Sequence, residues 1–255
     1  MKKQFPHLIS LGLLILLLVY WQFLSNAKES FELGGAIPPP SIIWECFLEL
    51  TKEGRLQASI IDSLWRFGIG LFLGGFLAII LGLFFGRFKI IHNVFEPFIQ
   101  LFRPISPIAW LPIIVFLLGI GEWGAIFVIV YAVFFPVLLL TITGVREINA
   151  TLLLMAENFN AKEMLIFRKI ILPGAFLHIA SGLKLAASIA WIHLVAGEML
   201  GIQSGLGYLI IDGRNLMRMD MVIVAMIWIG ILGLCITIVF SFIEKCIRKF
   251  LGERQ

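Results

Sequence analysis

The polar residues inside this chain's apolar runs are where chemistry would reside. Lys184, Ser188 and Trp191 stand four and seven residues apart, so a helix would place all three on one face. An anion moving along that face would meet a cation, a hydroxyl and an indole. His193 and Glu198 follow in the same run, and Arg214 or Arg218 could meet Glu198 as an outside gate. Ionisable groups at membrane depth turn toward a bundle interior or water, because lipid exposure is costly. The competing role for these residues is structural pairing, with Lys184 reaching the interface along its methylene stem or binding backbone carbonyls.

Other chemistries lack their residues. Gly-Lys does not occur, so the chain has no GxxxxGK[ST] phosphate loop and cannot hydrolyse ATP by that route. GxSxG, HExxH and paired carboxylates are missing too, which leaves no basis for an intramembrane enzyme. Cys46, Cys235 and Cys246 fall in an extramembrane stretch, a span and the basic tail. They neither pair nor form a metal set, and no metal is expected.

The elements that must hold these residues are membrane helices. Of the 255 residues, 60% are hydrophobic and only 14% charged, against about 25% charged in soluble domains. Apolar runs long enough for a hydrocarbon core of about 30 Å place helices at 8–24, 59–86, 104–120, 123–143, 174–199 and 221–244. The runs lack the alternation of a barrel. The fold class is therefore an all-α polytopic membrane protein with six transmembrane helices. Residues 8–24 exceed a signal-peptide core and end in Tyr20, Trp21 and Phe23, which favours a retained helix over a cleaved leader. Gly70, Gly74, Ala78, Gly82 and Gly86 recur every four residues, a stripe that lets helices approach closely, within the subunit or at a dimer seam.

Lys and Arg orient the spans. With the N-terminus inside, cytoplasmic segments hold Lys2, Lys3, Arg87, Lys89, Arg103, Arg146, Lys162, Arg168, Lys169, Lys245, Arg248, Lys249 and Arg254. The outside holds Lys28, Lys52, Arg55, Arg66, Arg214 and Arg218. Both termini are then cytoplasmic. The net charge of +4 follows from this bias and indicates no nucleic-acid partner. Outside, Pro38-Pro39-Pro40 precede an amphipathic stretch from Ser41 to about Leu50. The stretch Gly201–Asp220 is Gly-rich and polar, and suits an external gate or a contact for a solute-binding protein.

The cytoplasmic connection 144–173 is the most informative segment. Residues 150–159 and 161–171 suit two short helices, the second with Leu165, Phe167, Ile170 and Ile171 on a partial apolar face. Asn160 stands between them, where a left-handed residue would let the chain reverse. Pro173 is expected to end the second helix and open the next span. Two short surface helices with an exposed elbow make a docking surface; an ordinary interfacial connection is the plainer alternative.

This segment resembles the coupling loop of ABC-transporter permeases, whose pattern is Glu-Ala-Ala, three residues, Gly, nine residues, then Ile-x-Leu-Pro. Ile170, Leu172 and Pro173 match its end, Asn160 takes the Gly position, and Leu154-Met155-Ala156 take Glu-Ala-Ala. Only Ala156 is kept there, and Glu157, about one turn away, could replace the missing carboxylate. The resemblance extends through Phe102-Arg103-Pro104-Ile105-Ser106-Pro107, Gly119-Ile120-Gly121-Glu122, Phe135-Pro136, Gly182-Leu183-Lys184-Leu185-Ala186, Ala190-Trp191-Ile192, Glu198-Met199-Leu200-Gly201 and Ser204-Gly205-Leu206-Gly207-Tyr208. It covers about residues 38–250 and points to the nitrate/sulfonate/taurine/bicarbonate permease group.

The resemblance implies a type I ABC importer permease fold of the MetI-like kind. Residues 1–58 would form an N-terminal transmembrane helix and outside loop, and 59–255 the permease core with coupling helices at 150–172. It implies a bacterial inner-membrane subunit that binds no cofactor itself, with ATP and Mg on a separate ATPase. Ala156, Glu157, Asn160, Lys162, Ile170, Leu172 and Pro173 would meet that ATPase. A solute-binding protein, membrane lipid and a second permease copy, as a homodimer, complete the partners. The cargo would be a small anion. The competing class is an ion-gradient-driven secondary transporter or channel, which predicts an inverted repeat and midplane carboxylates.

Overall fold

The computed structural model describes residues 16, 19–22 and 38–250. Most of the expected span 8–24 therefore lies outside the described residues; 16 and 19–22 are helical. The remainder forms α1 (Pro40–Lys52), α2 (Arg55–Arg87), α3 (Lys89–Phe102), α4 (Leu111–Leu118), α5 (Glu122–Arg146), α6 (Ala150–Asn158), α7 (Glu163–Ile166), α8 (Leu172–Gly201), α9 (Leu206–Asn215) and α10 (Met219–Phe250). Among the described residues there is no strand. Among the described residues four helical runs are long and apolar enough to cross a membrane, or five if the bent pair counts as one span.

α2, α5, α8 and α10 form the frame. α2 and α5 run parallel, since ideal Cβ atoms at Gly70, Gly74, Gly82 and Gly86 would strike Ile129, Val130, Thr141 and Val145 in order. The small-residue stripe, with Ala78 fully buried, is thus a packing seam within the subunit. α8 runs antiparallel to α5, with Gly182 against Val137 and Leu140 and Gly197 against Ala125 and Val128. Trp191 and Lys184 reach Ile229 and Glu244 of α10, so α10 is antiparallel to α8. Two ends result: an elbow end near α6 and a clamp end near Arg218.

Four expectations need correction. The span 104–120 does not form as one helix. Pro104, Pro107 and Pro112 stand within nine residues, and each removes a donor and disfavours helix in the residue before it. α3 and the segment Pro107–Leu117 meet at 86° instead, with a 3₁₀ turn at Pro107–Trp110 leading into α4. Pro173 ends nothing: α7 passes through a π turn, Phe167–Ile171, directly into α8. The wider turn spares the chain the bond that proline cannot make, with Leu172 N–H on Phe167 O. The Gly201–Asp220 stretch contains α9, whose Leu206 and Leu209 are buried in the core. Leu165, expected on the apolar face of the second helix, is exposed, and Ile166 is buried in its stead.

The amphipathic stretch at 41–50 folds as α1, which lies along α10 with Ile43, Cys46 and Leu50 inward. Arg218 clamps it, donating to both Glu49 oxygens at 2.8 and 2.7 Å and to Asp220 at 2.8 Å. That guanidinium holds the Glu49 carboxyl below the usual carboxylate range. The stabilisation is therefore fully present above that range and lost as pH falls through the lowered value. Burial, with Asp220 alongside, pushes the Cys46 thiol up to about 12, so it stays protonated and inert at neutral pH.

Candidate functional site

At the elbow end the local sequence dictates the turn. Asn149 caps α6, its side chain accepting from Thr151 N–H at 2.9 Å. α6 closes when Ala161 N–H bonds to Ala156 O and Asn160 N–H to Glu157 O, at 3.0 and 2.9 Å. That paired closure needs a left-handed residue at its centre, and Asn160 supplies it at φ 54°. The expected elbow is where the spacing put it.

Arg87, the last residue of α2, donates to Glu157 at 2.7 Å and to Glu163 at 2.9 Å. One guanidinium thus ties a membrane helix to both sides of the elbow. Glu157 is thereby tied to α2 through Arg87, which the sequence marks only as a cytoplasmic charge. Arg87→Gln is expected to cost about 1 kcal/mol, as partly exposed pairs do. Tryptic cleavage after the exposed Lys162 should rise about fivefold, since local opening tracks that energy. Around the elbow Leu152, Met155, Phe159 and Met164 are exposed, Phe159 at 86% and Met164 at 77%. Contiguous apolar exposure rimmed by charge marks a protein contact. Ala156 and Ile170 are half-buried and pack inward; Lys162, Leu172 and Pro173 are exposed.

The ionisable residues at membrane depth take different partners from those expected. Glu198 is fully buried and meets Arg66, also fully buried, at 2.9 Å. It accepts from Ser63 at 2.8 and 2.9 Å and from Gly207 N–H at 2.9 Å. Arg66 also donates to Ser204 O at 3.2 Å and to the Ser204 hydroxyl, and reaches Glu122 at 3.4 Å. This network knots α2, α5, α8 and the turn before α9. Glu198 pairs with neither Arg214 nor Arg218: Arg218 is taken by Glu49 and Asp220, and exposed Arg214 has no ion pair among the described residues. Arg66 continues the small-residue stripe one step upstream of Gly70, which was the available signal. The charge count hides that signal, because it sets Arg66 with the outside cations although the helix 59–86 contains it.

The face Lys184–Ser188–Trp191 does not open as one surface. Lys184 binds Glu244 at 2.9 Å, with Ser181 and Arg248 on the same carboxylate at 3.0 Å each. Trp191 is buried, donates to Ile229 O at 3.0 Å and sits edge-on to Phe67. Ser188 bonds to the Lys184 carbonyl at 3.4 Å. Lys184 and Trp191 thus turn toward α10, and the Ser188 hydroxyl is spent within α8. His193 instead lines a cavity of about 470 Å³ between α5 and α8, with Arg103, Tyr131, Pro136, Thr143 and Ile189. Among the described residues no group of His, Cys, Asp or Glu could hold a metal ion.

Residues 70–253 match the family described as the binding-protein-dependent transport system inner membrane component. An ABC transporter permease protein of Methanocaldococcus jannaschii is 38% identical over 78% of this chain and 74% of its own length. The nitrate import permease NrtB of Synechocystis is 30% identical, over 91% of this chain and 86% of its own. The taurine permease TauC of Escherichia coli is 27% identical, over 97% and 91%. Among solved structures, the inward-facing MetNI methionine ABC transporter matches with a TM-score of 0.67 at 17% identity, covering 77% of this chain and 98% of that one.

Proposed function

Because the chain belongs to the family of binding-protein-dependent transport system inner-membrane components, and is thus a multi-pass ABC-importer permease subunit, we propose that it imports a small oxoanion with energy from a separate ATPase. The observation that carries this reading is the elbow: an apolar, exposed knuckle built on Asn160, braced from α2 by Arg87. That knuckle docks on an ATPase subunit, where ATP and Mg are bound. The elbow end is then cytoplasmic, with both termini on that side. The clamp end faces a solute-binding protein, and α9 with its flanking turns is the surface offered to it. Residues 59–255 act as the permease core, and 1–58 add a helix and the α1 clamp. Nitrate and taurine are the cargo named for two relatives of the chain, and a nitrate or sulfonate group is the chemistry this permease passes. A homodimer supplies the second half of the pathway, with lipid around the frame.

Motion of the docked elbow moves α8 as a body, alternating the open end of the pathway. The test is co-purification in detergent with the candidate ATPase subunit. Wild type and Asn160→Gly are expected to capture it, since glycine adopts φ near 54° freely. Asn160→Pro, with φ fixed near −65°, should reduce capture about tenfold or more while the protein remains folded. Equal capture by the proline variant, or none by folded wild type, removes the elbow from the mechanism.

A further inference from the structure

Among the described residues, the cavity between α5 and α8 differs in charge from the ion-paired sites of α2, α8 and α10. Arg66 meets Glu198, Lys184 meets Glu244, and Arg248 shares that same carboxylate. The cavity wall carries Arg103 and His193 and no carboxylate at all. Arg103 is exposed, and no hydrogen bond or ion pair engages its side chain among the described residues. The Arg103 guanidinium, without countercharge and facing a water-accessible space, concentrates anions by Coulomb attraction that the low-dielectric walls strengthen.

Local structure holds both groups in place. Tyr131 donates its hydroxyl to Phe102 O, pinning the chain reversal that presents Arg103. His193 sets Nδ1 against Ile189 O at 2.9 Å. A carbonyl only accepts, so Nδ1 keeps its proton and Nε2 is left unbonded; Nε2 donates to an anion when the ring is the imidazolium, with both nitrogens protonated. The register of α5 and α8, with Gly197 at Ala125 and Val128 and Gly182 at Val137 and Leu140, puts His193 near the level of Tyr131. Tyr131 is nine residues into the 25-residue α5. The cavity continues past Pro136 to Thr143, so it leads from mid-depth toward the elbow end.

We propose that Arg103 and His193 form an anion subsite on the translocation route, taking the nitrate or sulfonate group of the cargo as it leaves the outer half of the bundle. This rests on the anion-importer reading above. A guanidinium offers two parallel donors to such a group, which an ammonium cannot reproduce. The residues earlier expected to form this surface, Lys184 and Trp191, have their polar atoms bound within the bundle.

The test uses proteoliposomes holding the permease with its ATPase and solute-binding protein. Uptake is measured separately for nitrate, taurine, ethanesulfonate, choline and methionine. Wild type is expected to accumulate at least one of the three oxoanions. Arg103→Gln and His193→Phe should each lower that uptake about tenfold, the loss of one charge-assisted bond, with a raised apparent KM. Arg103→Lys should retain an intermediate rate. Co-purification of each variant with the ATPase separates this loss from failed assembly, and Lys184→Gln supplies a bundle cation outside the cavity whose KM should not move. Oxoanion uptake by wild type with unchanged KM in both cavity variants overturns the subsite and leaves the importer reading intact. Accumulation of only choline or methionine, or of none of the five while ATP is hydrolysed, overturns the anion reading and the subsite with it.

Discussion

Arg66→Met is expected to destabilise the permease by about 3–5 kcal/mol, because it leaves the Glu198 carboxylate buried without its countercharge. Glu198 would still accept from Ser63 and from Gly207 N–H, but with no exposed surface it has no water to turn to. The turn before α9 would suffer most, since Arg66 also holds Ser204. Unfolding of the purified protein in detergent, followed by temperature, reads the effect. Adding Glu198→Gln to Arg66→Met should recover much of the loss, and the double-mutant cycle isolates the pair. A single-variant cost below about 1 kcal/mol, typical of exposed pairs, would show that the network does not hold this end together.

The second large effect belongs to the seam between α2 and α5. A Cβ at Gly74 would lie 2.7 Å from Val130 O and 3.0 Å from Val130 Cα. Both are backbone atoms that no rotamer change can move. Gly74→Ala should therefore cost about 1–3 kcal/mol, and Gly74→Leu should abolish recovery of folded protein. Gly68, on the same helix with nothing within 4 Å of its Cβ position, is the control. There Ala should be neutral or stabilise by up to about 1 kcal/mol through helix propensity. Equal behaviour at the two positions would mean that α2 and α5 are not held at this separation in the membrane.

What could be read from the residues followed from what sets local geometry. Asn160 was legible because the left-handed elbow has few occupants and because Leu172-Pro173 fixes its register. The Gly70–Gly86 stripe was legible because a spacing of four is a helix face. The break at residues 103–110 was not, since mean hydropathy carries the run 104–120 across three prolines that a helix cannot accommodate. Pairings were the least legible. Arg66 with Glu198 and Lys184 with Glu244 join positions 132 and 60 residues apart, and only the helix packing brings them together. The Arg103–His193 cavity was half seen. In the sequence His193 stands beside the Lys184–Ser188–Trp191 face as a possible pathway residue, two residues from Trp191, and that small offset turns it to another side of α8.

The π turn at Phe167–Ile171 has an angular consequence. A π turn accommodates one residue more than an α turn, and each residue of a helix advances the azimuth by about 100°. The extra residue therefore works like a vernier on a shaft: it sets the phase between α7 and α8 without uncoupling their axial motion. Deleting Arg168 there would leave the shaft continuous and the hydrophobic content unchanged. The side chains beside the elbow would nevertheless point to a different compass bearing, and a subunit built to seat the present bearing would meet the wrong face.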